Sequence, residues 1–439
     1  MREYAYDIVV GTLEEDGHSD ELFHSCLQGH IEWSSRQKRF LKHLSYGTIE
    51  RCIELDGILD QYSRTRVHHM DQPVRTVLRM ALYEILYMDQ VPESASCNEA
   101  VKLVKKRGGG RYASFVNGVL RTLVRQKDSL KVRKDWMRLS LPKTLFEHLV
   151  SSYGKKTAEK IGEAFLRRRG ETTIHVRTDR IDLDSYREKL QAAEISCQPG
   201  YYHKDALILK GSCDIRELPG YEEGLFFVQD ESSMLPVQCA GIHPGDLVVD
   251  VCSSPGGKAM HALMEMQGKG KLLARDISGT KVSRIRENIK RLRFSGVTTQ
   301  VWDAAESAPA NRGKADVVLV DVPCSGIGII GRKPEIKYHA LESAAELIPL
   351  QRKICRASVE LLKPGGVMIY STCTIHRAEN EENVLWMEEK LGLERESLDK
   401  YLPEILCNRM TTQGMLQMLP GIQQSDGFFV ARLKKAGRR

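Results

Sequence analysis

The sequence predicts a mostly parallel, seven-stranded α/β sheet with helices on both faces and an antiparallel hairpin at its edge. An all-α domain and a small α+β module precede it. Three observations predict this. From residue 225 onward, short apolar runs of strand length alternate with amphipathic helical segments. Residues 1–135 carry helical periodicity with no convincing strand. Residues 136–224 shift to a strand, helix, strand texture.

In the first region, "RTVLRMALYEILYMDQ" places Val77, Met80, Ala81, Ile85 and Met88 at helical spacing, and "ASFVNGVLRTLVRQ" does so with Phe115, Val119, Leu120 and Leu123. "RGGGR", Arg107–Arg111, is a basic loop between them, suited to wrapping a phosphate backbone. In the middle region "TTIHVR" and "DALILKG" read as strands. "DLDSYREKLQAAE" reads as a helix opened by Asp182 or Asp184, and "LPGYEEG" marks a boundary. In the last region "DLVVDVC", "GKLLARD", "TTQVWDA", "ADVVLVD" and "GGVMIYST" suit central strands, with "SGTKVSRIRENIKRLR" and "PLQRKICRASVELL" as helices. "GMLQMLPGIQQSDGFFVARLKK" reads as two strands joined by a turn.

Composition narrows the class. At 439 residues and 41% hydrophobic content the chain suits roughly three globular domains. No apolar run reaches membrane-spanning length, and "MREYAYDIVVGTLEEDG" turns acidic too early for a secretory signal, so a cytoplasmic protein is expected. The 11 cysteines are scattered, without a C-x-x-C pair or a Cys/His cluster at zinc-ligand spacing; neither disulfides nor a metal is expected. No heptads are present, and a monomer is expected. The net charge of +7 is uneven: Val101 to Lys134 holds eleven Lys/Arg against one acid, Asp128, which suits a polyanion such as nucleic acid.

In an open parallel sheet, ligands sit beyond the carboxyl ends of the strands. After the first such strand, "DVCSSPGGKAMHA" offers Asp250, a small-residue loop with Gly256 and Gly257, Lys258, and the free N–H groups of a helix start. Asp276 ends the second strand and suits ribose hydroxyls. Asp303 follows the third and suits an amino group such as adenine's, and Asp321 ends the fourth. One strand-end Asp is commonly a turn or helix cap. Four around one Gly-rich loop, without G-x-G-x-x-G or a Walker pattern, fit a nucleoside with an amino-acid tail, as in S-adenosylmethionine.

Two of these strand ends carry thiols, Cys324 in "DVPCSG" and Cys373 in "YSTCT". A lone intracellular cysteine is usually a small apolar filler. Two at adjacent strand ends, roughly 5 Å apart, are nucleophile candidates. Methylating C5 of cytosine needs this equipment: a thiolate to attack C6, a carboxyl group near N3, and a second group to help remove the C5 proton and expel the thiol. Cys373, Asp321 and Cys324 supply that set, and spacing leaves open which thiol attacks.

"DVCSSPGGKAMH", "DVPCSGIGIIGRKPEIKY" and "YSTCTIHRAENEENV", flanked by "FFVQDESSMLPVQ" and "DGFFVARL", resemble the signatures of RNA cytosine-C5 methyltransferases of the NOL1/NOP2/Sun group. "RTVLRMALYEILYMDQVPESASCNEAVKLVKK" and "FVNGVLR" resemble a NusB-like RNA-binding domain. The combination resembles the bacterial Sun/Fmu (RsmB) type and covers nearly the whole chain. It implies a Rossmann-like class I methyltransferase domain at 225–439, a NusB-like domain at 1–135 and a small linking or RNA-binding module at 136–224. It implies S-adenosylmethionine held by Cys252, Ser253, Ser254, Pro255, Gly256, Gly257, Lys258, Asp276, Asp303 and Asp321, with Asp321 also facing the cytosine. It further implies Cys373 as nucleophile and Cys324 as the group assisting product release, whereas in DNA cytosine methyltransferases the Pro-Cys thiol attacks. The implied substrate is 16S ribosomal RNA, free or early in assembly, with Lys105, Lys106, Arg107, Arg111, Arg332 and Lys333 as candidate phosphate contacts. The competing readings are the same chemistry on tRNA or 23S rRNA, and an inactive NusB-like RNA-assembly factor. Ser253-Ser254 where Ala is commoner, Tyr338 where Trp is commoner and Thr374 in place of Ser depart from the pattern without removing a reacting group.

Overall fold

The computed structural model describes residues 1–167, 171–211 and 214–437. The chain divides into two compact units, Met1–Arg167 with Ile330–His339, and Arg168–Ile329 with Ala340–Arg439.

The first unit is built from α1 (Arg2–Leu13), α2 (Ser19–Gln28), α3 (Ser35–Tyr62), α4 (Gln72–Tyr87), α5 (Glu93–Val104), α6 (Ala113–Arg125), α7 (Asp135–Arg138), α8 (Lys143–Tyr153) and α9 (Lys155–Leu166). The long α3 starts where Ser34 and Gln37 cap one another reciprocally, satisfying two N–H groups the helix start would otherwise leave open. Val77, Met80, Ala81, Ile85 and Met88 are buried in one core with Leu41, Leu44, Leu55 and Leu59, as the helical spacing requires. On α6, Val119, Leu120 and Leu123 are buried and Phe115 is partly so. The strand–helix–strand reading of 136–224 passes over α8 and α9, whose Leu145, Leu149, Ile161 and Phe165 form a buried stripe within this helical unit. The segment 330–339 also belongs here. Glu335 accepts from the backbone N–H and hydroxyl of Ser19 at 3.2 and 2.8 Å, and buried Lys337 donates to the Glu50 carbonyl.

The second unit opens with an antiparallel sheet of β1 (Thr172–Val176), β2 (Cys197–Pro199), β3 (Ala206–Leu209) and β4 (Phe226–Val228), in the order β2-β3-β1-β4. The helix α10 (Leu183–Ala192) buries Tyr186 and Leu190 against Ile174, Val176, Leu207 and Phe226. Asp182, rather than Asp184, caps it, accepting from the N–H groups of Asp184 and Ser185.

After α11 (Glu231–Ala240) comes the large sheet of β5 (Leu247–Asp250), β6 (Lys271–Asp276), β7 (Val297–Val301), β8 (Ala315–Asp321), β9 (Leu362–Thr372), β10 (Leu393–Arg395), β11 (Met415–Met418) and β12 (Phe428–Lys435). Its order is β10-β12-β9-β8-β5-β6-β7, with β11 also paired to β12. Strands β5 to β9 run parallel, and β12 is antiparallel to β9. The helices α12 (Gly257–Glu265), α13 (Gly279–Leu292), α14 (Ala340–Leu361), α15 (Glu381–Leu391) and short α16 (Arg409–Thr412) complete the unit. The eighth strand, β10, is three residues long, too short to stand out as an apolar run. It also changes the place of the hairpin. Strands β10 and β11 pair end to end along one side of β12, so β12 is interior. The chain runs outward from β5 through β6 to β7 and then returns to the other side of β5 at β8. That reversal opens a crevice beyond the ends of β5 and β8.

Candidate active site

The register sets the site. Asp321 at the end of β8 lies opposite Ser371 on β9. Cys324 and Cys373 therefore emerge at one edge, and their Sγ atoms are 3.3 Å apart with both side chains partly exposed. The backbone behind them is packed without slack. Gly328 donates to the Cys373 carbonyl at 3.1 Å, and Gly427 donates to the Gly328 carbonyl at 2.8 Å. A Cβ on Gly328 would fall 2.2 Å from the Gly427 oxygen and 2.7 Å from the Cys373 oxygen. Glycine is required there for close approach, not for flexibility.

A carboxylate and an ammonium stand beside the thiols. Lys258 Nζ is 2.7 Å from Asp321 Oδ2, and the Ser371 hydroxyl donates to Asp321 Oδ1 at 2.7 Å. Burial works to lower the Lys258 pKa, but Asp321, with Asp250 and Cys373 nearby, leaves it above its ordinary value, so Lys258 stays cationic. The Cys324 thiol is pushed well above its ordinary value, first by its hydrogen bond to Cys373 and then by burial. This arrangement holds Cys324 protonated, facing its partner, with a fixed positive charge close by.

Behind the thiols lies a network that the sequence reading did not single out. Fully buried Glu379 accepts from Ser325 N–H at 2.9 Å, Ser325 Oγ at 2.5 Å and Gln351 Nε2 at 2.9 Å. Ser325 Oγ also meets Thr374 Oγ1 at 2.8 Å, which joins the residue after each thiol. Asn380 accepts from Thr372 and donates to the Thr374 carbonyl. The only signal for these roles was the polar run "HRAENEEN" after an apolar strand.

The loop after β5 has a different character. Gly256 has φ 106°, and α12 starts at Gly257 with its first N–H groups free for an anion. Both carboxylate oxygens of Asp250 and the Ser253 hydroxyl are buried without a well-formed hydrogen bond, and burial raises Asp250 to about 7, with nearby Ser253, Lys258 and the Cys252 N–H only partly offsetting it. Asp276 accepts from Ser254 N–H at 3.0 Å and Ile277 N–H at 2.9 Å, and Asp303 accepts from Ala305 N–H at 2.9 Å. Cys252 packs against the apolar cluster under the sheet, and its thiol is pushed well above the ordinary value by burial.

Family models match in three consecutive stretches: the NusB family over 1–125, a Methyltr_RsmF/B-like ferredoxin-like domain over 141–216, and 16S rRNA methyltransferase RsmB/F over 238–434. A probable ribosomal RNA small subunit methyltransferase B of Bacillus subtilis (strain 168) is 32% identical over 448 residues, covering 100% of this chain and 99% of the relative. The chain belongs to this family. It is an S-adenosylmethionine-dependent ribosomal RNA methyltransferase of the RsmB type. The solved structure of PH0851 shares the fold at TM-score 0.81 and 22% identity, covering 98% of this chain and 97% of that one. NSun6 from Pyrococcus horikoshii with SFG does so at TM-score 0.61 and 22% identity, covering 68% and 99%.

The residues present fit the RsmB-type cofactor. The unpartnered oxygens of Asp250 and Ser253 supply acceptors and the α12 start supplies donors, matching an amino-acid tail, while Asp276 faces the same crevice. The six candidate phosphate contacts fall in the other unit. Lys105 is exposed. Lys106, Arg107 and Arg111 pair with Glu3, Asp7 and Asp71 at 2.8, 2.8 and 2.9 Å. Lys333, in the 330–339 segment with Arg332, lies 3.8 Å from Asp20. Pairs this exposed are screened by solvent and contribute little, so exchanging an acid for a phosphate is inexpensive.

Proposed function

We propose that the enzyme forms 5-methylcytosine in 16S rRNA through a covalent adduct between Cys373 and C6 of the target base. The 3.3 Å Sγ–Sγ pair beside the Lys258–Asp321 ion pair carries this reading. Lys258 stabilises the Cys373 thiolate, and Cys324 donates its proton toward that sulfur. The thiolate adds to C6 as N3 takes a proton from water, and the Asp321 carboxylate, held by Ser371 and Lys258, accepts the hydrogen bond of that N3–H until the proton leaves again after methyl transfer. Electron density then gathers at C5 as an enamine. S-adenosylmethionine supplies the methyl group, leaving S-adenosylhomocysteine. A base near C5 removes its proton, the C5–C6 double bond reforms, and the C6–S bond breaks to return Cys373. Cys324 assists this last step, and its raised pKa suits a group that stays protonated until elimination.

The target must leave its stack to reach the thiols. That favours 16S rRNA that is free or early in assembly, with the basic segment of the helical unit on phosphate. Labelled methyl transfer to unmodified 16S rRNA, followed by bisulfite mapping, tests the base. Cys324→Ala is expected to accumulate a denaturant-resistant protein–RNA adduct. If Cys373→Ala traps the adduct and Cys324→Ala does not, the roles are reversed.

A further inference from the structure

Three histidines far apart in the chain converge in the interior of the second unit, where spacing had led to no expectation of a metal. His175 stands on β1, His203 on the loop before β3, and His261 on α12. Their rings meet edge-on, with centroids 4.5 Å apart for His175–His261, 4.9 Å for His175–His203 and 5.0 Å for His203–His261. One nitrogen from each lies within 4.8 Å of the other two.

The hydrogen bonds say where the lone pairs are. Gln229 donates its amide to the Ser233 carbonyl at 3.0 Å, which turns its oxygen toward His175 Nδ1 at 3.0 Å. The His175 proton therefore sits on Nδ1, and the lone pair of Nε2 is buried with no partner. Neither nitrogen of His261 has a hydrogen-bond partner, although both are buried. His203 Nδ1 accepts from Asp205 N–H at 3.2 Å, a long bond that ends if either nitrogen of that ring takes a ligand. Buried polar atoms are nearly always satisfied, and a second hydrogen-bond partner that fixes the tautomer is what ligating histidines carry.

The rings are also held in place and kept neutral. The loop with His203 is clamped by Glu231, whose carboxylate accepts from the N–H groups of Tyr201, Tyr202 and His203 at 2.9, 2.6 and 2.9 Å. Burial lowers all three pKa values, to about 4 for His203; neighbouring imidazoles add to it at His175 and His261 and Lys204 at His203 and His261, while Glu265 opposes it at His203 and the Gln229 hydrogen bond at His175. Neutral imidazole is the ligating form. On the open side, Glu265 Oε1 lies 3.6 Å from His261 Nε2, and that carboxylate is 43% exposed. It provides an oxygen donor at the solvent side of the cluster.

We propose that His175, His203 and His261, with Glu265 as the fourth ligand, bind one divalent transition-metal ion of the zinc class. Nitrogen and carboxylate donors without a thiol select zinc, cobalt or nickel over magnesium or calcium. A tetrahedral ion with bonds of about 2.0–2.1 Å draws the four donors inward. The ion fastens the small antiparallel sheet to α12, the helix that also carries Lys258.

Chelator-treated full-length protein titrated with Co²⁺ tests this. One equivalent is expected to give the intense visible bands of a four-coordinate site, without thiolate charge transfer, and one equivalent of Zn²⁺ to displace it. His203→Gln is expected to lower Zn²⁺ affinity on the order of 100-fold, and Glu265→Gln, at the exposed end and safe for folding, about tenfold. Zn²⁺ should raise the Tm of the parent protein and not that of His203→Gln. The Cys324→Ala/Cys373→Ala double variant should bind unchanged. A six-coordinate Co²⁺ spectrum, binding indifferent to His203→Gln and Glu265→Gln, or binding lost in the cysteine double variant would each overturn the assignment.

Discussion

The thiol site and the histidine cluster lie in the same unit and are both clusters of reactive groups, but they are wired in opposite ways. Around Cys324 and Cys373, the oxygens of Asp321 and Glu379 and the hydroxyls of Ser325 and Ser371 are in close hydrogen bonds. Around His175, His203 and His261, three ring nitrogens are buried without partners. A site whose own residues satisfy one another is organised for geometry, holding side chains for a base that arrives and leaves. A site with buried lone pairs is unsatisfied until something fills it. The cofactor loop resembles the histidine cluster in this respect, since the oxygens of Asp250 and Ser253 are buried without a well-formed hydrogen bond.

Breaking the thiol site should give the largest effect. Cys373→Ala is expected to reduce methyl transfer by roughly 10⁴-fold or more, measured in single turnover, with cofactor affinity nearly unchanged. Full activity would remove the covalent route. The supporting network comes next. Glu379→Ala leaves the Ser325 N–H buried without an acceptor and removes one of the two acceptors of Gln351 Nε2, and should destabilise the unit by about 1–3 kcal/mol in denaturant titration while lowering kcat more than it raises KM. Lys258→Met should lower kcat by about 10–100-fold and move the rate profile to higher pH, because the charge beside the thiol is gone. An unshifted profile would assign Lys258 to cofactor binding alone.

The contrast can be sharpened by pH. The histidine pKa values are depressed, so below 6.5 the unfolded chain takes up protons the folded one refuses. Their stability contribution is complete above about 6.5 and is lost as pH falls below it, that of His203 by about 4. The slope from His203 alone approaches about 1.4 kcal/mol per pH unit. Asp250, raised to about 7, acts in the opposite sense and offsets one histidine over most of that window. Tm should therefore still drop on acidification, and less steeply in His203→Gln; equal slopes would mean that the ring is charged in the fold. Ser371→Ala should be the mildest change, about 1 kcal/mol and a few-fold in rate, since Lys258 still holds Asp321.

Much of the fold was written along the chain. The parallel strands, the helical unit and the strand-end acids each have a local cause: apolar runs of five or six residues, 3.6-residue spacing, and Asp where a strand stops. Legibility failed where the cause is not local. Strand β10 has three residues and gains its partner only beside β12. Helices α8 and α9 open the 136–224 stretch, where the sequence texture suggested only strand, helix and strand. Glu379 is an ordinary acid in a polar run until the fold encloses it.

The chain by itself determined which groups are available, because an apolar run, a glycine pair or a cysteine after a strand acts through bonds to its immediate neighbours. Only tertiary structure decided which groups meet. The parallel register of β8 and β9 set the sulfurs 3.3 Å apart, and the docking of β1 on α12 gathered three histidines that no spacing connects. The physical reason is distance: local propensity reaches a few residues, while ionisation and ligation depend on atoms brought within a few ångströms by packing of the whole unit.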